Sequence, residues 1–396
     1  MEVRYVTDRH DTLCAKYRQD YRDNPDYLYC GVADMDLAPP EPVLEAMKRR
    51  LDHGVFGYTE LPDGYEKLVS DWMREQYHCE VKQEWVLFSP RINMALNMAV
   101  DTFTEPGDSI IVNTPAYPAL TGAVEKWGRN LKESPLLLKN GRFTIDFDGL
   151  ERLADQKTRA YILCNPHNPT GRVWTDEELS GVTAFCKRHN LLLLSDDIHG
   201  DFVWPGHVYK PLLTMYHNPE QEKVIVFNSL TKTLNIPGLI FSSIILPNPE
   251  MRRAMEETID RWGLHNPNVF AADILKPAYR ECGEWVDRMR AQVYENIKTA
   301  QEFINRELPW LDVYVPDGTY LMWIGYGRTG LSEEDMRRLL EEKGHLIPLM
   351  GTHFKEAGRG WFRLNMGTSG EQVNKILERL ALCWTLGRIK PVPGPA

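Results

Sequence analysis

The chain has 396 residues and a formal net charge of −10, and 43% of its residues are hydrophobic. This length is enough for a large core and for two domains. The acidic balance, without a basic run, argues against nucleic acid as a main partner. No apolar stretch approaches the roughly 18 residues of a membrane span. The charged start, Met1–Asp11, lacks the apolar region of a signal peptide.

The cysteines argue against disulfide and zinc chemistry. There are seven of them, widely scattered, and none forms a C-x-x-C pair. An odd, scattered set predicts neither a disulfide framework nor a thiolate metal site. The expected compartment is therefore a reducing cytoplasm, and no metal is expected.

The first predicted strand leads into a candidate anion site. A helix is expected after Pro39–Pro42, and further on the strand Glu84–Phe88 runs through Arg91 into a second helix. The first amides of a helix lack intrahelical partners, and the helix dipole is positive at that end. Ile92 and Asn93 are thus placed where an anion could bind, although many such junctions bind nothing.

Three more apolar segments predict strands of one sheet. They are Ser109–Val112, Ala160–Cys164 and Leu191–Asp197, and Thr175 with Glu178 predicts the capped start of an intervening helix. Strand, helix and strand in this order are typical of βαβ units. We therefore predict an α/β fold with a mostly parallel central sheet covered on both faces, in three layers.

Unusual side chains follow the ends of these strands. They are Tyr117, Asn168, Asp196 with His199, and Lys232. Singly, the tyrosine could be packing, the asparagine a turn former, the aspartate a cap and the histidine a core residue. Ligands of such sheets bind beyond the carboxyl ends of the strands, so together these residues predict one crevice.

Lys232 is the residue around which this crevice is organised. It follows the apolar strand Lys223–Phe227 and is flanked by the small hydroxyl residues Ser229 and Thr231. A desolvated ammonium is costly, and lysine relieves this cost by forming a Schiff base with an aldehyde. The alternative is a solvated surface lysine.

The pattern changes near residue 285. A long helix, Trp285–Arg306, is followed by alternating segments that predict antiparallel strands and by a closing helix from Glu371. We therefore expect a large domain at residues 45–284. A smaller α+β domain is expected to combine residues 1–44 with 285–396.

At this point the chain resembles a known family. It is similar to the fold-type I pyridoxal-phosphate enzymes of the aspartate aminotransferase superfamily, and within it to the MalY/PatB-like cystathionine β-lyase branch. The resemblance implies the three-layer fold of that superfamily and the cofactor pyridoxal 5′-phosphate. The stretches that carry it are Ala33–Asp36, Cys164–Trp174, Ser195–His199, Lys232–Leu239, Gly318–Leu321 and Arg363–Asn365.

The resemblance implies roles around the cofactor ring. Lys232 would form the Schiff base and move the substrate's α-proton. Asp196 would pair with the pyridine nitrogen, which strengthens the ring as an electron sink. Asn168 would donate to the phenolic oxygen, near which His199 stands. Tyr117 would stack on the ring, so the catalytic set is Lys232, Tyr117 and Asp196.

It also implies how the phosphate and the substrate are held. The amides of Ile92 and Asn93, with Ser229 and Thr231, would bind the phosphate. Tyr58 would reach the phosphate of a neighbouring subunit, so a homodimer with shared active sites is implied.

Arg363 would clamp the carboxylate of a small amino-acid substrate, a geometry that suits guanidinium, unless it forms a surface ion pair. Arg91 stands where the family has glycine. We place it in the substrate-binding set, while contact with the phosphate or with solvent stays open. Ile240 stands where many superfamily members have a basic phosphate ligand, and Met366–Ser369 also departs from the pattern.

The implied activity is a carbon–sulfur β-lyase that cleaves cysteine conjugates such as cystathionine to a thiol, pyruvate and ammonia. The same residues serve transamination, so an aminotransferase is the alternative, as is a specialised amino-acid cyclase or other eliminating enzyme. A regulatory binding protein is a third interpretation, against which the intact lysine, aspartate and asparagine argue.

Overall fold

The computed structural model describes residues 1–9, 12–17, 24 and 26–387. Its strands, in chain order, are β1 (Leu28–Tyr29), β2 (Val86–Ser89), β3 (Ser109–Thr114), β4 (Asn130–Pro135), β5 (Leu137–Lys139), β6 (Arg142–Thr144), β7 (Thr158–Cys164), β8 (Leu192–Asp196), β9 (Val224–Asn228), β10 (Ser242–Ile245), β11 (Asp312–Val313), β12 (Leu321–Gly325), β13 (Leu346–Ile347), β14 (Leu349–Met350) and β15 (Trp361–Asn365). Its helices are α1 (Glu41–His53), α2 (Tyr65–Tyr77), α3 (Ile92–Phe103), α4 (Pro118–Glu125), α5 (Phe147–Leu153), α6 (Asp176–Arg188), α7 (Pro249–Trp262), α8 (Val269–Arg280), α9 (Gly283–Glu307), α10 (Glu333–Arg338) and α11 (Gly370–Gly387).

A seven-stranded sheet lies at the centre of the molecule, in the order β2-β10-β9-β8-β7-β3-β4. The five strands from β9 to β4 run parallel to one another. β10 is antiparallel to both of its neighbours, β9 and β2. The predicted mostly parallel sheet is therefore confirmed.

Helices cover both faces of this sheet. Along β7, Tyr161 and Leu163 belong to one buried cluster, whereas Ala160 and Ile162 belong to another. This is the alternation expected of a strand that is buried on both sides. The first cluster includes side chains of α2, α6, α8 and α9, and the second includes side chains of α3, α4 and α7. The predicted three-layer α/β architecture is confirmed.

Local signals in the sequence gave the element type more reliably than the element ends. Thr175 Oγ1 accepts the Glu178 amide at 3.2 Å, and Glu178 Oε2 accepts the Thr175 amide at 3.0 Å, which confirms the capping box. The strand expected from Glu84 begins only at Val86, because Gln83–Trp85 form a 3₁₀ turn.

A second, antiparallel sheet follows in the order β11-β12-β15-β14. The N-terminal part of the chain reaches this region, since β1 pairs with β13 through Leu28 and Leu346. The predicted division into domains at residues 1–44, 45–284 and 285–396 stays a prediction, and its last residues, 388–396, lie outside the described chain. Within the described residues, no helix is long and apolar enough to span a bilayer.

Candidate active site

Neighbouring strands of the large sheet bring three of the predicted side chains to one edge. Asp196 ends β8, Asn168 follows the end of β7, and Lys232 follows the end of β9. β8 lies between β7 and β9, and all three run in the same direction. The three side chains therefore lie at the carboxyl edge, where ligands of such sheets bind.

The turn that carries Asn168 is fixed by close packing. Gly171 ends this turn at φ +70°, and a Cβ there would lie 2.4 Å from the Cβ of Pro316. The next residue, Arg172, donates through Nε to Asp317 Oδ2 at 2.7 Å and is buried. Position 171 thus requires a positive φ and leaves no room for a Cβ, and only glycine meets both requirements. The turn therefore has little freedom to move Asn168.

Lys232 lies on a tight turn beyond β9. The Leu234 amide donates to the Leu230 carbonyl at 2.9 Å, which closes one helical turn around the lysine. Its Nζ donates to the carbonyl oxygen of Ala33. Burial lowers the pKa of Lys232 to about 8, and the negative charges of Asp34 and Asp196 oppose this shift. A sizeable fraction of the amine is therefore neutral and nucleophilic near neutral pH.

Two aspartates, adjacent in sequence, end β8 and both are buried. Burial raises the pKa of Asp196 to about 6, and the Ile198 amide donates to its Oδ1 at 3.3 Å. Burial raises the pKa of Asp197 to about 7, although its oxygens accept the hydroxyls of Ser195 and Tyr209, each at 2.5 Å. Asp197 was not singled out in the sequence, because nothing in its residue type separates it from Asp196.

Arg363 lies on β15 and contacts Asn168 directly. Its Nη1 donates to Asn168 Oδ1 at 2.8 Å, and its Nη2 donates to the Gly31 carbonyl at 2.7 Å. The side chain is buried, with Cζ 4.8 Å from the ring centroid of Phe354. Burial lowers the pKa of Arg363 to about 10, so it remains a cation at neutral pH. No carboxylate of the described residues pairs with it, and the surface ion pair considered above was wrong.

The bond to Arg363 also orients the asparagine. Because the amide oxygen of Asn168 accepts from Arg363, its NH₂ group is the part that remains to donate to a ligand. The predicted cofactor contact and the predicted substrate clamp are therefore linked by one hydrogen bond.

The two predicted aromatic residues have different surroundings. His199 is buried against the Tyr320 ring, with centroids 5.8 Å apart, and its Nδ1 has no partner among the described residues. Burial lowers the pKa of His199 to about 3, so the ring is neutral. Tyr117 precedes α4 and is 43% exposed, which leaves its ring accessible from the solvent side.

The predicted phosphate ligands are the start of α3 and two hydroxyl residues that follow β9. Ile92 is the first residue of this helix, and no side chain among the described residues caps its free amides. Asn93 is exposed at the second position. Ser229 and Thr231 are buried, with their hydroxyl oxygens 2.8 Å apart. The uncapped amides form a donor set that suits an anion.

Tyr58 does not join this group within one chain. It is fully exposed, and the neighbouring side chains of Val55 and Phe56 are 60% and 53% exposed. Its predicted contact with a neighbouring subunit stays a prediction.

Sequence reasoning missed the backbone of residues 31–37, which we call the carbonyl loop. Besides Lys232, the Ala33 carbonyl accepts the Tyr320 hydroxyl at 3.0 Å. Asn235 Nδ2 donates to the carbonyls of Met35 and Leu37 at 2.8 and 2.6 Å, and its Oδ1 accepts the Met35 amide at 2.8 Å. The Ala33–Asp36 stretch contributed only to the resemblance, since every residue type carries a carbonyl.

Further contacts hold the carbonyl loop from its other side. Asn365 Nδ2 donates to the carbonyls of Val32 and Asp34 at 2.7 and 2.6 Å. The guanidinium of Arg9 pairs with the carboxylates of Asp34 and Asp36 at 3.0 and 2.8 Å. The loop is thereby fixed by both the N-terminal segment and β15.

A partly buried lysine, an aspartate and an asparagine at the edge of a parallel sheet define an α/β protein with a strand-end ligand site. The family "Aminotransferase class I and II" matches residues 26–380, so the chain belongs to this family. It is 37% identical to cystathionine beta-lyase PatB of Bacillus subtilis over 90% of this chain and 92% of that protein. It is 30% identical to protein MalY of Escherichia coli, over 93% and 95% respectively. The crystal structure of cystalysin from Treponema denticola, which contains a pyridoxal 5′-phosphate cofactor, matches with a TM-score of 0.92 and 30% identity, over 98% of this chain and 100% of that one.

The residues of this site fit pyridoxal phosphate. The group needs an amine for its aldehyde, an acid for its ring nitrogen, donors for its phenolic oxygen and an anion site for its phosphate. Lys232, Asp196 and Asn168 offer the first three, and His199 Nδ1 is a buried polar atom without a partner among the described residues. Within the residues that the structure describes, no group of three or more His, Cys, Asp or Glu side chains is placed to hold a metal ion.

Proposed function

We propose that the chain is a pyridoxal-phosphate-dependent carbon–sulfur β-lyase that cleaves cysteine conjugates such as cystathionine to a thiol, pyruvate and ammonia. The observation that carries this proposal is the partly buried Lys232 amine at the same strand edge as Asp196, in a chain 37% identical to a cystathionine β-lyase over nine-tenths of its length. The identity supports the substrate class, and the lysine supports the chemistry.

Each residue of the site has a task in this proposal. Pyridoxal phosphate, when bound, supplies an electron sink that acidifies the α-hydrogen of an amino acid. Asp196, whose pKa is about 6, is ionised at neutral pH and would hold a proton on the ring nitrogen. Asn168 would donate its free NH₂ to the phenolic oxygen, and Tyr117 would cover one face of the ring.

Arg363 and Lys232 would act on the substrate. The Arg363 fork would bind the α-carboxylate, and its bond to Asn168 sets the distance between the carboxylate site and the ring. Lys232, with a pKa of about 8, would take the α-proton as a general base. Departure of the thiolate from Cβ then completes the elimination.

A homodimer with shared active sites is part of the proposal. The exposed Val55, Phe56 and Tyr58 form an apolar segment that a second copy would cover, and Tyr58 would then reach the partner's phosphate site. The proposed compartment is the cytoplasm, which is supported by seven cysteines that are all free.

Incubation with cystathionine tests the proposed reaction. The purified yellow protein should release pyruvate and thiol without any keto-acid acceptor. Turnover that requires an added keto acid would identify an aminotransferase instead. This alternative is the activity after which the matching family is named. Pyridoxal-phosphate binding without turnover on a panel of amino acids would favour a regulatory binding protein.

A further inference from the structure

Two unusual residues flank the end of the antiparallel pair β2–β10. Ser89 is paired with Ser242 at this end, and Ser242 Oγ donates to the Ser89 carbonyl at 2.9 Å. Arg91 follows Ser89 by two residues, and Ile240 precedes Ser242 by two residues. Both residues therefore lie just beyond the last pair of the ladder.

The backbone differs between the two positions. Arg91 has φ −150° and ψ 146°, so the chain is still extended when it enters α3. Ile240 has φ +43°, and the ladder ends between it and Ser242. Ser229 Oγ donates to the carbonyl of Phe241 at 2.6 Å, so the hydroxyl group of the anion site is anchored to the residue next to Ile240.

Apart from Arg91, the hydrogen-bond donors of the predicted phosphate site are neutral. The uncapped amides of α3 and the hydroxyls of Ser229 and Thr231 carry no net charge. A bound phosphate ester is close to a dianion, and a guanidinium is the group that binds it most specifically. Ile240, on the β10 side, offers no charge.

The other two cations of the site are engaged elsewhere. Lys232 donates to the Ala33 carbonyl, and Arg363 donates to Asn168 and to the Gly31 carbonyl. Arg91 is exposed, and no side chain of the described residues forms a hydrogen bond or ion pair with its guanidinium. Burial raises the pKa of the Tyr117 phenol, and the charge of Arg91 opposes this shift in part.

We propose that Arg91 is the cation that binds the phosphate of the cofactor, and that it supplies, from the junction between β2 and α3, the charge that Ile240 before β10 does not offer. This inference rests on the proposed function, since it requires that the chain binds pyridoxal phosphate. It assigns Arg91 to the phosphate and leaves the substrate carboxylate to Arg363.

Cofactor affinity with and without the phosphate group tests this assignment. The chain and its Arg91→Ala variant are dialysed against graded pyridoxal phosphate, or against pyridoxal, and the bound ligand is measured by absorbance. The variant should lose roughly 10- to 100-fold in affinity for pyridoxal phosphate and stay within about 2-fold for pyridoxal, because one charge-assisted contact is removed. Arg253→Ala, at an exposed arginine on α7, is the matched control and should change neither affinity.

A charge swap provides a second measurement. In the double variant Arg91→Gly with Ile240→Arg, the guanidinium moves to position 240 before β10, and most of the lost affinity for pyridoxal phosphate should return. Equal losses for both ligands, or no loss for either, would overturn the assignment, and so would a normal cofactor affinity combined with a raised KM for the amino acid. A wild-type chain that bound no pyridoxal phosphate would instead refute the proposed function.

Discussion

The two walls of the site are built from different parts of the chain. One wall consists of side chains at the ends of parallel strands: Asp196, Asn168 and Lys232. The other is the carbonyl loop, residues 31–37, which contributes backbone oxygens to Lys232 and Arg363. The first wall carries the predicted reacting groups, and the second accepts hydrogen bonds from Lys232 of that wall and from Arg363 on β15.

The walls also differ in how they are held. A strand-end side chain is fixed by the sheet beneath it, where each backbone group has a ladder partner. The carbonyl loop is held at Leu37 by an isolated bridge to Tyr5 and at Asp36 by a backbone bond to Gly367, and its other carbonyls accept side chains such as Asn235 and Asn365. Positioning through a few side chains makes the second wall sensitive to single substitutions far from the reacting atoms.

The largest effect is expected from the first wall. Lys232→Ala removes the amine that we propose binds the cofactor covalently and takes the α-proton, so turnover should fall by on the order of 10³-fold or more. Borohydride treatment followed by mass measurement reports the covalent bond directly. The wild-type chain should gain the mass of the cofactor, and the variant should not.

Lys223 is a suitable control, because it lies at the amino end of the same strand, β9. Its exposed Nζ donates to Asn190 Oδ1 at 2.8 Å, away from the carboxyl edge. Lys223→Ala should retain both covalent cofactor and turnover. A Lys232→Ala variant that still fixed cofactor under borohydride would show that another amine forms the bond.

The strand-end wall could be predicted because its signals are local. β7 and β8 are apolar runs that stop at a polar residue, and the polar residue is then placed at the carboxyl edge. β4 could not be found in this way. It is an edge strand with the sequence Asn130–Pro135, it is mostly exposed, and its residues show no apolar alternation.

The second wall could not be predicted, for a different reason. A carbonyl oxygen is present in every residue, so no residue type marks Ala33 as the acceptor for Lys232. Its position depends on contacts between residues about 200 positions apart, such as Met35 with Asn235. Asp197 was missed because only packing distinguishes it from its neighbour Asp196.

A change in Asn235 tests the second wall. Asn235→Ala leaves the Met35 and Leu37 carbonyls without their donor, and the free energy of unfolding should fall by about 2–4 kcal/mol. Chemical denaturation gives this value. The pH profile of turnover should also change, because the Ala33 carbonyl would no longer be held against Lys232.

Backbone strain must be separated from the lost hydrogen bonds in this test. Asn235 and Asn140 have φ +55° and +50°, conformations in which alanine is strained, but Asn140 is exposed and its side chain forms no hydrogen bond within the described residues. Asn140→Ala therefore measures the strain alone, by about 1 kcal/mol. Equal losses of stability in the two variants would mean that the side chain of Asn235 does not hold the carbonyl loop.

The smallest effect is expected behind the first wall, at Asp197. Burial raises its pKa to about 7, above the value of about 3.9 in an unfolded chain. The folded state therefore binds the extra proton between these values, and its stability falls as the pH rises through this window. Asp197→Asn removes this pH-dependent contribution. The fall in the free energy of unfolding between pH 5 and pH 8 should therefore be smaller by about 1–2 kcal/mol in the variant.

The stability of the Asp197→Asn variant should still fall in part as the pH rises. Burial raises the pKa of Asp196 to about 6, so this carboxyl also makes the folded state less stable at higher pH. Asp155→Asn is the control, since its exposed carboxylate has a pKa lowered to about 2 by the hydrogen bond from Lys132 and titrates below the window. Melting temperatures measured across the window check the slopes. Parallel curves for Asp197→Asn and the wild type would mean that this carboxyl is ionised throughout, and that the Ser195 and Tyr209 hydroxyls outweigh its burial.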